Sequence, residues 1–359
     1  MLSTAHPAAY RTEAHALAEA APSLRDTLCR LWAGHAGIGG RAQQKLRHAY
    51  LNNPAGAGRC LLLRTAHDAD AVGVIGLHQR QWWRGAEARQ VLALTDFVVD
   101  RSHRTLGPAL QLMRAAVADG LQAQDLVYGL PNAASQAVAQ RAGLRRLGTL
   151  PRLGKLLRSA FLLRRQGLEQ PPRALTVPMD AALAGFDAAM TQAAGVAWRW
   201  REGRFDDALL ARLWAARDPT LWLADRSPEV LAWRFSPEAE AGWQLSLAES
   251  ARSDQTALGY VVWRRAGELV DIADVLCNAP QEQLASLLRS FARRMRRHTE
   301  ATALTLEFSG SPALMRQLAR AGFVAKETGA AVFGLAPGDE RLWAAGPPYF
   351  TRFDRDPDV

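Results

Sequence analysis

The stretch Leu94-Thr95-Asp96-Phe97-Val98-Val99-Asp100-Arg101-Ser102-His103-Arg104-Thr105-Leu106-Gly107-Pro108-Ala109-Leu110 decides how this chain is read. An apolar run ends in a short polar turn, and the turn opens an amphipathic segment with Gly107 and Ala109 at its start. That is the pattern of a strand, a turn and a helix. The first N–H groups of a helix have no acceptor within it, and the helix dipole favours negative charge there, so the turn is an anion site. Gly107 and the small Ala109 let a pyrophosphate approach the backbone closely, and Arg104 adds a positive fork beside it. Pro108 removes one N–H, which leaves Thr105, Leu106, Gly107, Ala109 and Leu110 as donors. Proline also favours early helical positions, so the same residues are compatible with a plain helix start.

Outward from this segment the pattern continues. Strands are expected over residues 59–65, 71–79 and 91–99, a helix over 107–122, a strand over 126–130 and a helix over 133–142 closed by Gly143. The same order recurs. Leu28-Cys29-Arg30-Leu31-Trp32-Ala33 returns as Leu210-Ala211-Arg212-Leu213-Trp214-Ala215, and Ala139-Gln140-Arg141-Ala142-Gly143-Leu144 as Leu318-Ala319-Arg320-Ala321-Gly322-Phe323. Between them Asn53-Pro54 is matched by Ser236-Pro237. The offsets are 182, 183 and 179 residues (214 − 32, 237 − 54, 322 − 143). Three matches in one order at nearly one offset imply two copies of one domain. The second copy continues with strands over 243–248, 257–264 and 269–276, a helix over 281–298, a strand over 303–308 and a helix over 312–321, and a final strand or pair of strands is expected to end each copy. The expected division is 1–170 and 171–359, with Pro171-Pro172 as the linker. Residues 145–173 interleave Arg152, Lys155, Arg158, Arg164 and Arg165 with leucines. They read as a surface element that packs its leucines and solvates its charges, with a membrane- or partner-facing helix as the alternative.

Composition narrows the function. With 359 residues, 48% hydrophobic and 22% charged, the chain is neither disordered nor fibrous. No apolar run approaches the roughly 20 residues of a membrane span. Residues 1–22 lack a basic start followed by an apolar block, so the expected location is the cytoplasm. Cys29, Cys60 and Cys277 are scattered, form no CxxC pair and read as buried free thiols. The eight histidines show no HExxH or similar spacing, so no metal is expected. A net charge of +9 suits an anionic ligand, but the arginines are spread along the whole chain, which argues against a nucleic-acid face.

The Arg-x-x-Gly-x-Ala of Arg104, Gly107 and Ala109 resembles the acetyl-CoA pyrophosphate signature of the GNAT superfamily of N-acetyltransferases. Gly129-Leu130-Pro131-Asn132 and Arg141-Ala142-Gly143-Leu144 fall where that family places its fifth strand and fourth helix. The resemblance extends over most of both copies. It implies an α/β fold with a mixed sheet, built as two tandem GNAT-like acyl-CoA N-acyltransferase domains. It also implies that acetyl-CoA, or another acyl-CoA, is the donor and a primary amine of a small molecule the acceptor. Tandem relatives connected with polysaccharide and cell-envelope biosynthesis hint at an amino sugar. By the same resemblance Val98 and Val99 splay at a bulge and grip the pantetheine arm, Asn132 sits at the mouth of the gap, and Asp96 is a candidate general base. The family's tyrosine on the fourth helix falls at Ala139, so Tyr128 is the substitute candidate for the acid that protonates the leaving thiolate. His78 reads either as a cleft residue or as a satisfied structural histidine. The acids in Phe350-Thr351-Arg352-Phe353-Asp354-Arg355-Asp356 read as a solvated tail, or as holders of a cationic amine or a metal. The second copy has Asn278-Ala279-Pro280-Gln281-Glu282-Gln283 at the turn, without the motif and with Glu282 facing any phosphate, so it is expected not to bind the coenzyme. Two rival readings remain: a catalytically degenerate binding or scaffold module, and an aminoacyl transferase that uses aminoacyl-tRNA.

Overall fold

The computed structural model describes residues 10–34, 39–66, 70–193, 196–251, 257–338 and 347–356. The N-terminal half runs β1 (Tyr10–Ala16), α1 (Pro22–Ala33), α2 (Ala42–Lys45) continuing as a wide helical turn Leu46–Leu51, β2 (Arg59–Thr65), β3 (Ala71–Arg84), β4 (Glu87–Val99), α3 (Leu106–Ala123), β5 (Leu126–Gly129), α4 (Ala133–Arg141) and β6 (Arg145–Leu156). Helices α5 (Ala160–Arg165) and α6 (Arg173–Ala193) bridge to the second half. That half runs β7 (Trp198–Gly203), α7 (Ala208–Ala215), β8 (Leu223–Ala224), α8 (Pro228–Arg234), β9 (Gln244–Ser250), β10 (Leu258–Ala266), β11 (Leu269–Cys277), α9 (Pro280–His298), β12 (Ala303–Ser309), α10 (Pro312–Arg320), β13 (Val324–Leu335) and β14 (Phe350–Thr351). Apart from the short β8 and β14, the second half repeats the first element by element.

The sequence signals explain the boundaries. Asn132 accepts a hydrogen bond from the Ser135 N–H to cap α4, and Ser311 accepts one from Leu314 to cap α10. Gly143 and Gly322 follow these helices at φ 99° and 87°, the left-handed conformation that ends a helix most cheaply in glycine. Trp82 and Trp83 alternate on β3, the first buried and the second half-buried, as the period of a strand requires.

The principal strands form one sheet in the order β1-β2-β3-β4-β5-β13-β6-β12-β11-β10-β9-β7. The centre of this order is an exchange. β13, the last long strand of the second half, lies beside β5 of the first half, and β6 of the first half lies beside β12 of the second. Each half thus completes the other's sheet. Residues 145–156 form the final strand expected of the first copy, and not the surface element or helix that the arginines of 145–173 suggest; the strand is central. Pairing on both edges satisfies its backbone, and Leu150 and Leu153 are buried.

Apolar clusters cover both faces. One sits under α3 and α4 with Ile75, Leu94 and Met113; another sits under α1 and α2 with Leu28, Trp32 and Tyr50; the largest fills the second half and the junction. Among the described residues no helix is long and apolar enough to cross a membrane.

Candidate active site

Three local features shape the site. The first is a bulge in β4. Val74 pairs with Val98 and Gly76 with Thr95, so Asp96 and Phe97 together oppose Ile75. Asp96 takes φ 48°, the one non-glycine residue at positive φ among those described. Such a conformation is costly for a residue with a Cβ and is concentrated at functional positions. The second feature is a gap. β4 and β5 pair in parallel from Val91/Leu126 to Leu94/Gly129 and no further, so the β5-facing backbone of residues 95–99 loses its strand partner. The third is the turn into α3, where Thr105 is the N-cap residue without a side-chain capping bond. Pro108 lies in the first helical turn, where an N–H has no intrahelical partner in any case, so the proline costs the helix nothing.

A cleft of about 450 Å³ runs along this gap. Its walls include Val98, Val99, Arg104, Thr105, Leu106, Ala109 and Asn132, together with Phe97, Arg101 and Ser135. Gly107 and Leu110 lie on the same helix but not on the wall. A Cβ built on Gly107 would meet no protein atom within 4 Å, so packing does not require glycine there. The Arg104 guanidinium folds back on the strand end and donates to the Val99 carbonyl from Nε and Nη2 (3.2 and 3.1 Å).

A second cavity of about 200 Å³ shares Phe97, Asn132 and Ser135 with the first and continues it through the gap. Asp96, Tyr128, Asp354 and Asp356 line it together with the apolar Ile75, Met113, Ala139 and Leu144. The acids form a compact network. Lys45 Nζ donates to Asp96 Oδ1 at 2.6 Å and to Asp356 Oδ2 at 2.7 Å. The Tyr50 hydroxyl donates to Asp96 Oδ2 at 2.5 Å. Gly76 makes room for it, because a Cβ there would stand 1.7 Å from the Tyr50 oxygen. His78 is fully buried, with Nδ1 3.9 Å from Asp356 Oδ1.

Burial, followed by the neighbouring Asp356 charge, pushes the Asp96 carboxyl up to about 7. Burial also pushes Asp356 up, but Lys45, His78 and the hydrogen bonds from Lys45 and Asp96 outweigh it and hold that carboxyl below the usual range. Burial opposes the Lys45 ammonium, and the two carboxylates overcome it, so Lys45 stays charged. Burial lowers His78 to about 3, which leaves a neutral ring. His78, Asp96 and Asp356 offer ligand atoms within 4.8 Å of one another, a spacing compatible with a metal, but the Lys45 ammonium already supplies the cation between the carboxylates.

Tyr128 lines the cavity, yet its hydroxyl donates to the Asp354 carbonyl at 3.0 Å and burial pushes it up to about 12. Its proton is engaged with backbone. The C-terminal acids are not the solvated tail that composition suggests. β14 pairs with β12, Phe350 and Phe353 are buried, and Tyr128 packs on Phe350, so the segment is seated in the core and delivers Asp356 to the cleft. Lys45 and Tyr50 escaped the sequence reading. One signal is present in the sequence: the chain has 44 basic residues, of which only Lys45, Lys155 and Lys326 are lysines.

Residues 24–144 match the model of the acetyltransferase (GNAT) family. The chain carries a GNAT-family acetyltransferase domain. No curated protein matches the sequence. Solved structures share the fold across nearly the whole chain. A probable N-acyltransferase of Enterococcus faecalis V583 superposes with TM-score 0.59 at 12% identity, covering 91% of this chain and 72% of that one. A GCN5-related N-acetyltransferase from Anabaena variabilis ATCC 29413 gives TM-score 0.59 at 12% identity, with coverage of 91% and 73%. A GCN5-related glucosamine N-acetyltransferase region of a fungal multi-domain GH3 beta-N-acetylglucosaminidase gives 0.53 at 11%, covering 92% of this chain and 38% of that one. The GNAT fold thus extends well beyond the matched domain.

Proposed function

We propose that this GNAT protein is a cytoplasmic N-acyltransferase that moves an acetyl or other acyl group from its CoA thioester to the primary amine of a small molecule. Copy one (1–170) holds the coenzyme, and copy two (171–359) does not. The observation that carries this reading is the continuity of one cleft from the open N-terminus of α3, through the β4–β5 gap, to the carboxylate pair of Asp96 and Asp356. The phosphates lie against the α3 turn, with Arg104 and Arg101 beside them. The pantetheine arm bonds the β5-facing backbone of β4 near Val98 and Val99. Asn132 borders both cavities and marks the thioester.

The amine nitrogen attacks the thioester carbon, the N–C bond forms and the C–S bond breaks. The surplus proton of the amine passes to Asp96, which Asp356 and Lys45 flank, and from the carboxyl to the departing thiolate. A carboxyl titrating near 7 suits both transfers at neutral pH. Tyr128 holds the C-terminal segment and is not the acid in this scheme, since its hydroxyl is committed to Asp354. An amino sugar is the preferred acceptor class. The glucosamine N-acetyltransferase region among the fold neighbours agrees with it.

Calorimetry with acetyl-CoA and longer acyl-CoAs tests the reading. Wild type is expected to bind in the micromolar range and Arg104→Glu about a hundredfold more weakly, a loss of about 3 kcal/mol. Absence of binding to every acyl-CoA would sink the transferase and favour the scaffold.

A further inference from the structure

We propose that the cavity where β3 meets α8 is a second ligand site, which takes a small zwitterion of the amino-acid class. It lies at the junction of the two halves and encloses about 220 Å³. Asn53, Arg80, Gln81, Asp225, Ser227 and Glu229 line it.

The argument starts from an unpaired charge. Among the described residues four arginines are buried: Arg80, Arg226, Arg234 and Arg289. Arg226 bonds Asp274 and Asp354, Arg234 bonds the carbonyls of Phe353 and Arg352, and Arg289 bonds those of Arg320 and Met190. Arg80 is 4% exposed, its side chain makes no hydrogen bond or ion pair among the described residues, and its Nε is buried without a partner. Its guanidinium carbon lies 5.2 Å from the Trp233 ring centroid and 6.0 Å from that of Phe353. Aromatic contact stabilises the cation but leaves its N–H groups unsatisfied, and a buried charge needs hydrogen-bonding partners. Those N–H groups match a planar carboxylate.

Other walls fix the rest of the ligand. Asp225 and Glu229 line the same cavity. Asp225 is held by its N–H to the Gln81 carbonyl at 2.8 Å and by Oδ1, which accepts from the Ser227 N–H at 2.7 Å. A plain anion satisfies Arg80 but meets two carboxylates, and a plain amine meets Arg80. A molecule with a carboxylate and an ammonium satisfies both walls. The volume is below the roughly 300 Å³ at which pockets for drug-sized ligands begin, and well above the roughly 30 Å³ of one water, so the fit is to amino-acid size. The cavity shares no lining residue with the cleft of the proposed transferase, and the inference does not depend on that reading.

Calorimetry and thermal melts on the full chain, with the standard amino acids as probes, test it. At least one is expected to bind with a Kd of about 1 mM or tighter, and acetate or methylamine about tenfold more weakly. Arg80→Met is expected to lose the binding about tenfold, to keep acyl-CoA binding, and to melt higher than wild type without ligand, because an unpaired buried charge is gone. Asp225→Asn, which keeps the oxygen that accepts from Ser227, is expected to weaken the same probe without a change in melting. No binding by any amino acid, or equal binding by wild type and Arg80→Met, overturns the site. A lower melting point of Arg80→Met also overturns it, since Arg80 is then a structural cation met by Asp225 and Glu229 through water.

Discussion

The two halves carry the same strand, turn and helix and use them in opposite ways. Asp96 stands three residues before the end of β4 (99 − 96), and Asp274 stands three residues before the end of β11 (277 − 274). Each accepts from a tyrosine and a basic residue: Asp96 from Tyr50 and Lys45, Asp274 from Tyr260 and Arg226. Both parallel pairings stop short of the ends of β4 and β11, at Leu94/Gly129 and at Ile272/Leu306. In the first half the gap beyond opens into the cleft. In the second the chain fills it. β14 pairs with Phe308 and Ser309 of β12, the Tyr349 hydroxyl donates to the Val275 carbonyl, and Thr351 Oγ1 donates to Asp274 Oδ1 at 2.6 Å. One gap stays open, and the other anchors the segment that carries Asp356 to the first. The same fold thus leaves the gap open in one half and fills it with its own chain in the other.

The largest expected effect tests whether the open gap is the chemical one. Asp96→Asn should lower kcat about 10²–10⁴-fold with acyl-CoA affinity unchanged, as removal of a general base does. Steady-state kinetics with an amine acceptor decides it, and an unaltered kcat would remove Asp96 from the reaction. Next, Arg226→Met should destabilise the chain by about 3–5 kcal/mol, because it leaves Asp274 and Asp354 buried without their cation. A denaturant midpoint close to that of wild type would contradict the view of copy two as a sealed structural partner. Gly76→Ala should cost about 1–3 kcal/mol by driving Tyr50 off Asp96, and chemical denaturation measures it. The smallest effect concerns pH. Asp96 has a raised pKa, so it is protonated and unable to accept a proton below about 7, and kcat/KM should rise through that value. Lys45 lowers the Asp96 pKa, so Lys45→Met should move this rising limb to higher pH. A limb that stays in place in a pH–rate profile would show that another group titrates.

Much of the fold could be read locally. The strand-turn-helix at 94–110 was legible because apolar spacing, an early proline and small residues at a helix start act over a few positions. The repeat was legible because both copies kept the same apolar positions. The caps Asn132 and Ser311 and the terminating Gly143 and Gly322 express their roles within one turn of helix. The strand exchange was not legible, since β6 and β13 have similar patterns and nothing along the chain says which sheet each will join. The central place of 145–156 is hidden for a related reason: a closing strand is expected there, but its arginines suggest a surface, and only its two neighbours reveal a strand paired on both edges.

The sequence by itself determined the class of fold, the repeat, the strand, turn and helix at 94–110 and Asp96 on its strand, because these are properties of short backbone segments and their periods. The tertiary structure alone decided what Asp96 meets. Lys45 and Asp356 lie 51 and 260 residues away from it (96 − 45 and 356 − 96), and only packing brings both carboxylates within 3 Å of the Lys45 ammonium. It likewise decided that one gap is open and the other plugged. Burial and the distances between charges set a pKa, and both come from contacts between distant parts of the chain.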